Sequence, residues 1–326
     1  MLILNAADLR RALPMRETIE AMKRAYAALS AGQAKVPLRT SLPIPAQNAS
    51  TLLMPAYVTG EEEDALAVKI ATLFPYNVPA GLPLIHAAVL AMDATTGQML
   101  ALLEGGSLTA IRTGAGGGAA ADLLARPDSH TVALFGAGVQ SRTQLEAVCA
   151  VRDIQKVWIY ATNPEQIAAL IAEMRVRVRA TLLPATSPRH ALVEADIVCA
   201  ATTTQTPLFE DAELRPGTHV TGVGSYTPAM IEIPPTTVAR ARVVVDSRTA
   251  CQVEAGEIMR AAELGIFDWK NAAELGEIIL GTQIGRTSPE QITFFKSVGV
   301  AVQDAVAAGL ALKNALKLGL GQEVAW

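Results

Sequence analysis

The chain has 326 residues, of which 51% are hydrophobic and 18% are charged, and its formal net charge is -4. This length exceeds the size at which a single hydrophobic core usually stops growing, so we expect two domains. The small negative charge gives no cationic excess for binding a polyanion, so we predict that nucleic acid is not a partner.

Neither the cysteines nor the histidines indicate a disulfide framework or a metal site. Cys149, Cys199 and Cys251 are widely spaced and form no CxxC pair, which is typical of reduced thiols in a cytosol. The four histidines show no HxH or HExxH spacing. The amino terminus lacks the pattern of a secretory signal. We therefore predict a cytoplasmic protein that binds no metal.

The first part of the chain mixes helix and strand patterns. Apolar residues at helical spacing predict a helix over residues 15–31, and LAVKIATLF predicts a strand. AAVLAMDATTGQMLALLE predicts two strands joined by a turn at Thr96 and Gly97. Residues 70–92 lack charged side chains over a membrane-spanning length, but three prolines interrupt them, so we predict strand, loop and strand without membrane contact. Helical character resumes over residues 107–124.

From residue 130 the pattern changes to apolar, β-branched runs. These runs are HTVALFGAG, KVWIYATN, ADIVCAATTT, THVTGVG and ARVVVDS. Each is separated from the next by a stretch long enough for a helix or crossover, which is typical of a parallel sheet covered on both faces. We therefore predict an α/β fold for this part of the chain.

The motif VALFGAGVQSRTQLEAV places a buried type of strand, a glycine turn and an amphipathic helix in the order that a dinucleotide-binding site requires. Glycines allow the tight turn and let backbone N–H groups approach a pyrophosphate. The predicted cofactor-binding residues are Gly136, Ala137, Gly138, Val139, Gln140 and Ser141.

The end of the next strand indicates which dinucleotide is bound. An NAD site usually has Asp or Glu here, but this sequence reads YATNP. Thr162 and Asn163 can donate to a 2′-phosphate, and Arg142 could add a cation, although a solvated surface arginine is also open. Thr202 and Thr203, at the end of ADIVCAATTT, complete the cofactor-binding candidates. We predict NADPH as cofactor, with NADH as the alternative.

Three cations stand in apolar surroundings. Lys69 interrupts a strand of buried type, Arg112 precedes the glycine-rich run RTGAGGGAAADLL, and Arg39 lies in VPLRTSLP. An unpaired buried charge is costly, so Arg112 requires an anion. Together these cations predict a site for a substrate carboxylate, although a solvated surface position is also open for Arg39.

The sequence resembles the ornithine cyclodeaminase and mu-crystallin family over nearly its full length. The resemblance rests on VPLRTSLP, VKIATLFPYN, LTAIRTGAGGGAAA, LFGAGVQSRTQ, VGSYTP and FFKSVGVAVQDAVAA, in the order and spacing of the family. It implies a homodimer, with a Rossmann NAD(P)-binding domain over residues 119–296. This domain is inserted into an α+β substrate and dimerisation domain formed by residues 1–118 and 297–326. By motif match it also implies that Arg39, Lys69 and Arg112 contact the substrate carboxylate or its neighbourhood, with Lys69 and Arg112 as the catalytic candidates.

The turn GVGSYTPAMIE discriminates among the activities of the family. Cyclodeaminases of the family carry an aspartate at the position of Tyr226, and an acid-free turn suits the reduction of a preformed cyclic imine better than deamination. We therefore predict NAD(P)H-dependent reduction of Δ1-pyrroline-2-carboxylate or Δ1-piperideine-2-carboxylate to L-proline or L-pipecolate, with Tyr226 near the substrate. The alternatives are an ornithine cyclodeaminase, an alanine-type dehydrogenase, and an NADPH-regulated ligand-binding protein like mu-crystallin.

Overall fold

The computed structural model describes residues 1–60, 64–77 and 79–325. The strands are β1 Leu2–Leu4, β2 Ala34–Lys35, β3 Thr40–Ile44, β4 Ala49–Val58, β5 Ala65–Leu73, β6 Ile85–Met92, β7 Met99–Glu104, β8 Thr131–Phe135, β9 Lys156–Tyr160, β10 Thr181–Pro184, β11 Ile197–Ala200, β12 His219–Gly222, β13 Arg242–Val245, β14 Ala273–Glu274, β15 Thr293–Lys296 and β16 Gln322–Glu323. The helices are α1 Ala6–Ala12, α2 Met15–Ser30, α3 Gly105–Leu124, α4 Val139–Val151, α5 Pro164–Met174, α6 Pro188–Leu192, α7 Pro235–Arg240, α8 Arg248–Glu254, α9 Gly256–Glu263, α10 Leu275–Ile279 and α11 Ala301–Leu318.

The chain divides into two compact units, which we name the first unit (residues 1–112 and 300–326) and the inserted unit (residues 113–299). The sequence-based boundaries lie a few residues away, at 118/119 and 296/297. Helix α3 runs through the first boundary, so its amino-terminal part belongs to the first unit and its carboxyl-terminal part to the inserted unit.

The first unit is built on an eight-stranded sheet with the order β16-β1-β7-β6-β5-β4-β2, and β3 also pairs with β4. Its long central strands β4 to β7 are antiparallel. Helix α11 packs against β4, β5 and β6, with α2 beside it. Successive side chains of a strand point to opposite faces, so one face of β5 is buried while Ile70, on the other, is exposed.

The inserted unit is built on a parallel sheet with the order β10-β9-β8-β11-β12-β15-β13-β14. The first five strands follow the 3-2-1-4-5 order of a Rossmann fold, in which the order reverses between β8 and β11. The buried core beneath α4 and α5 includes Val132, Leu134, Ile159 and Leu170. The α/β class and the insertion of this domain into an α+β domain are as predicted.

The patterned elements lie close to their predicted positions. The predicted helix over residues 15–31 is α2, the helix over residues 107–124 is α3, and Gly97, at a φ of +74°, makes the turn between β6 and β7. The segment with three prolines forms strand, loop and strand, although Val78 lies outside the described residues. Within the described residues, no helix is long and apolar enough to cross a membrane.

Candidate active site

A buried ion cluster lies in the first unit, between β5, α3 and α11. Lys69 Nζ is 2.7 Å from Asp304 Oδ2, and Arg112 Nε donates to Asp304 Oδ1 at 2.9 Å. The side chain of Lys69 is 3% exposed, that of Arg112 is 5% exposed, and that of Asp304 is 1% exposed. Two cations therefore share one carboxylate, and the cluster carries a net positive charge while Lys69 is protonated.

The protonation states of the cluster follow from burial and from these charges. Burial and the neighbouring charge of Arg112 lower the pKa of Lys69 to about 8, although Asp304 opposes the shift. Burial alone raises the pKa of Asp304, but the charges of Arg112 and Lys69 outweigh it and lower this pKa. Asp304 is therefore ionised at neutral pH, and Lys69 titrates close enough to neutrality to exchange a proton.

Asp304 and its neighbour are fixed by the start of α11. Gln303 Oε1 accepts from Val300 N at 3.0 Å and from Arg112 Nη1 at 3.1 Å, and Gln303 Nε2 donates to the hydroxyl of Tyr26 at 2.8 Å. A carboxylate in the first turn of a helix is also favoured by the helix dipole. The hydrogen bonds of Arg112 to Asp304 and Gln303 come from Nε and Nη1.

Arg39 lies close to the same cluster. Its charge contributes to lowering the pKa of Lys69, which places it within electrostatic range of that amine. Arg39 is only partly buried, whereas the other two cations are almost inaccessible. The structure thus brings Lys69 and Arg112 together on Asp304, the anion that Arg112 requires, while Arg39 acts on Lys69 through its charge.

The glycine turn of the inserted unit lies between the carboxyl ends of β8, β9 and β11. Gly136 N donates to Tyr160 O at 2.9 Å, and Gly136 adopts a φ of +99°. A Cβ at this position would lie 2.6 Å from the carbonyl oxygen of Ala201, so only glycine allows this approach. The space around Gly138 is open, because a Cβ placed there would have no atom within 4 Å.

The residues of this turn fit the pyrophosphate of a dinucleotide. Helix α4 begins at Val139, and its N-cap residue Gly138 has no side chain that could accept from the first backbone N–H groups. The buried atoms Gln140 Oε1 and Ser141 Oγ have no hydrogen-bond partner among the described residues. Free amides at a helix start attract an anion, and the turn leaves room for one to approach.

Arg142 has a different environment from the one that we predicted. Its Nε donates to Glu173 Oε2 at 2.5 Å, and its Nη1 donates to the carbonyl oxygens of Ala137 and Gly138 at 2.8 and 2.9 Å. Arg142 thus stabilises the glycine turn through two backbone carbonyl groups, and Glu173 partly compensates its charge. This pairing could not be read from the sequence because Glu173 lies 31 residues away on α5.

The other cofactor candidates lie at the same edge of the sheet. Thr162 and Asn163 are exposed after β9, and Asn163 Oδ1 caps α5 by accepting from Glu165 N at 2.8 Å. Thr203 is exposed after β11, while Thr202 is held by the buried carboxylate of Glu232. The predicted cofactor residues therefore converge on the carboxyl ends of three adjacent strands.

The turn that carries Tyr226 follows β12 in the inserted unit. Tyr226 is partly buried, and this burial raises the pKa of its phenol, so the hydroxyl stays neutral. The turn itself has no acid, but the final glutamate of the segment, Glu232, folds back against it. Glu232 accepts from Gly224 N at 2.7 Å and from Ser225 N at 3.0 Å, a contact that the sequence pattern did not indicate.

The glycine-rich run of α3 allows close helix packing. A Cβ at Gly114 would lie 2.5 Å from the carbonyl oxygen of Thr143, and one at Gly117 would lie 2.0 Å from Gln144 Oε1. Both contacted residues belong to α4, so the glycines bring α3 against the helix of the fingerprint. This packing within the inserted unit compensates the low helix propensity of glycine.

Asp304 is the charged residue that sequence reasoning missed at the cation cluster. It lies in FFKSVGVAVQDAVAA, in the first turn of α11, and a buried acid signals a charged partner. Its partner Arg112 is 192 residues away in the chain, so the periodicity of the sequence could not predict that the two residues meet. Within the described residues, no group of three His, Cys, Asp or Glu side chains could hold a metal ion.

Comparisons with known proteins show the family to which this chain belongs. The sequence profile of the ornithine cyclodeaminase/mu-crystallin family matches residues 1–318. The Δ1-pyrroline-2-carboxylate reductase of Bacillus cereus is 38% identical over 326 residues, which cover 99% of each chain.

Two solved structures are similar along the whole chain. The Δ1-pyrroline-2-carboxylate reductase of Thermococcus litoralis, in complex with NADH and L-proline, is 41% identical with a TM-score of 0.95, covering 99% of this chain and 100% of that one. An archaeal alanine dehydrogenase dimer with bound NAD is 29% identical with a TM-score of 0.90, covering 100% of this chain and 99% of that one.

Proposed function

Because the chain belongs to the ornithine cyclodeaminase/mu-crystallin family, we propose that it is an NAD(P)H-dependent reductase of a cyclic 2-imino acid. The preferred substrate is Δ1-pyrroline-2-carboxylate, with L-proline as product; the six-membered homologue Δ1-piperideine-2-carboxylate would give L-pipecolate. The similarity to the reductases of Bacillus cereus and Thermococcus litoralis supports this choice of substrate. The observation that carries the proposal is the buried, net positive cluster of Lys69, Arg112 and Asp304.

The substrate carboxylate binds at this cluster. Lys69 and Arg112 are held by Asp304, and their two positive charges exceed its single negative charge by one. A carboxylate is the anion that completes this charge balance, and the guanidinium of Arg112 suits a directed hydrogen bond to it. Asp304 orients both cations before the substrate arrives, so little rotamer entropy is lost on binding.

Lys69 supplies the proton that makes the imine electrophilic. Its pKa of about 8 keeps most of the amine protonated at neutral pH and still lets it release the proton to an imine nitrogen. Asp304 stays 2.7 Å away and stabilises the protonated form between turnovers. Tyr226, with its raised pKa, is the poorer acid, and we assign it to contact with the uncharged ring.

The glycine turn and the uncapped start of α4 hold the cofactor pyrophosphate. When bound, the nicotinamide supplies the two electrons and the hydrogen that reduce the C=N bond. The chain contributes Gly136 to Ser141 around the pyrophosphate, and Thr162 and Asn163 beside the adenosine ribose.

We propose that both NADPH and NADH are used, with a modest advantage for NADPH. The absence of a carboxylate after β9 favours the 2′-phosphate, because Asp or Glu at this position would repel it. The bond from Arg142 to Glu173 reduces the charge that Arg142 can offer to this phosphate. The two effects oppose each other, so the advantage should be smaller than one free arginine would give.

We further propose that the first unit binds substrate and forms the homodimer, while the inserted unit binds the cofactor. The face of the sheet opposite α11 carries Leu42, Leu53 and Ile70, which are 60%, 40% and 45% exposed. Apolar side chains on neighbouring strands form a surface that a second copy can bury. Leu53→Lys with Ile70→Lys should convert the dimer to a monomer in analytical ultracentrifugation, whereas an unchanged dimer would contradict this interface.

A substrate comparison tests the function. Purified protein should oxidise NADPH and NADH with Δ1-pyrroline-2-carboxylate and form L-proline, with little ammonia release from ornithine and little turnover of pyruvate with ammonium. Efficient ornithine deamination with negligible imine reduction would establish a cyclodeaminase instead. Cofactor binding without turnover of any of these substrates would indicate a ligand-binding protein.

A further inference from the structure

A buried glutamate joins two turns at the carboxyl edge of the inserted unit's sheet. Glu232 is fully buried and accepts four hydrogen bonds. Two come from Thr202, at 2.6 Å from N and 2.9 Å from Oγ1, and two come from Gly224 N and Ser225 N at 2.7 and 3.0 Å. One carboxyl oxygen thus serves the turn after β11, and the other serves the turn after β12.

The two turns are in close contact because Gly224 has no side chain. A Cβ at Gly224 would lie 2.0 Å from the carbonyl oxygen of Thr202 and 2.6 Å from Glu232 Oε1. Strands β11 and β12 are parallel neighbours in register, so both turns leave the sheet at the same edge. The glutamate therefore fixes the relative position of the two turns.

A buried ion pair also holds the turn after β12. Lys296, at the end of β15, is fully buried and lies 2.9 Å from Glu257 Oε1. Lys296 Nζ also donates to Ser225 Oγ at 2.6 Å, and Ser225 Oγ donates to Glu257. Ser225 is thus held through its backbone by Glu232 and through its side chain by this pair.

The position of Glu232 and of the Lys296–Glu257 ion pair in the fold indicates what these residues do. In a doubly wound sheet, one mononucleotide half-site is formed by the strands of the fingerprint and the other by the strands beyond the switch point. Here the fingerprint follows β8, so the ends of β11, β12 and β15 form the second half-site, which receives the nicotinamide and its ribose. Glu232 and Lys296 lie beneath these ends.

We propose that Glu232 is the positioning residue of the nicotinamide half-site: it holds the turns after β11 and β12 in the arrangement that receives the nicotinamide riboside. This inference rests on the proposed use of a nicotinamide cofactor, and it is independent of the imine substrate. Glu232 needs both of its oxygens for this role, because each serves a different turn.

The variant Glu232→Gln keeps the shape of the side chain and removes half of its accepting capacity. A glutamine has one oxygen and one NH2 group, so its NH2 must face backbone N–H donors at one of the two turns. Buried donors are then left without an acceptor, and the affected turn moves. The matched control is Glu277→Gln, which removes a partly buried carboxylate that binds Arg248 beside β14, away from these strand ends.

The experiment compares NADH with ADP, which contains only the part of the cofactor that binds at the fingerprint. For Glu232→Gln, calorimetry should show that the Kd for NADH rises by about tenfold or more, while the Kd for ADP stays within about twofold. Glu277→Gln should leave both within about twofold. The proposal would be overturned if the Kd values for NADH and ADP rose equally, or if the Kd for NADH did not rise.

A second pair of variants applies if Glu232→Gln does not fold. Thr202→Val removes the hydroxyl that donates to Glu232, and Thr202→Ser retains it. Relative to Thr202→Ser, Thr202→Val should raise the Kd for NADH by about threefold to tenfold and leave the Kd for ADP unchanged. Equal NADH affinities in the two variants would refute the role of this contact. Because only binding is measured, failure of imine reduction in the wild-type protein would leave this test intact.

Discussion

The pH dependence of imine reduction is the sharpest test of the cation cluster. If Lys69 delivers the proton, kcat/KM should follow the protonated fraction of its amine. With a pKa of about 8, that fraction is about 90% at pH 7, half at pH 8 and about 10% at pH 9. We therefore expect kcat/KM to be nearly constant below pH 7 and to fall about tenfold per pH unit above pH 8.

The imine also titrates, so the assay requires the variant Lys69→Met. Methionine keeps most of the side-chain volume, and Asp304 retains its bond to Arg112, so the protein should fold and bind cofactor normally. At neutral pH this variant should lose about tenfold to a hundredfold in kcat/KM, the effect of losing one charge-assisted hydrogen bond. Any pH dependence that remains in it belongs to the substrate or to another residue.

Steady-state rates with Δ1-pyrroline-2-carboxylate, followed by nicotinamide absorbance over the range from pH 6 to 10, give both profiles. Cofactor affinity and the thermal midpoint of each protein serve as controls for folding. The reasoning fails if wild type and Lys69→Met show the same alkaline decrease, or if Lys69→Met retains wild-type activity at neutral pH.

Three further variants test the assignments independently. Arg112→Met should lower kcat/KM about tenfold to a hundredfold with unchanged cofactor affinity, and near-normal kinetics would refute the carboxylate site. Ala161→Asp should lower kcat/KM for NADPH more than for NADH, since it returns a carboxylate to the end of β9; equal effects on the two cofactors would argue against our placement of the 2′-phosphate. Tyr226→Asp should impair imine reduction, measured at saturating cofactor, because it adds a charge beside an uncharged ring, and undiminished reduction would contradict the assignment of Tyr226.

The strand, glycine turn and helix of the fingerprint could be predicted because their requirements are local. They are consecutive in the chain, and the positive φ at position 136 is one that glycine adopts without steric cost. The candidate residues after β9 and β11 could be predicted to lie beside this turn, because the carboxyl ends of neighbouring parallel strands lie at one edge of the sheet. The ion pair of Arg142 could not be predicted in this way, because Glu173 lies 31 residues away in the chain.

The sequence by itself indicated the α/β class and the fingerprint, since each is expressed in residues that are close together in the chain, and it marked the three cations by the apolar residues around each of them. Only the tertiary structure decided which charges meet. Asp304 reaches Lys69 and Arg112 from a helix almost two hundred residues later than Arg112, and Glu232 joins two turns that belong to different strands. Buried charges are stable only with partners, and those partners are chosen by the packing of strands and helices, which no local pattern of residues records.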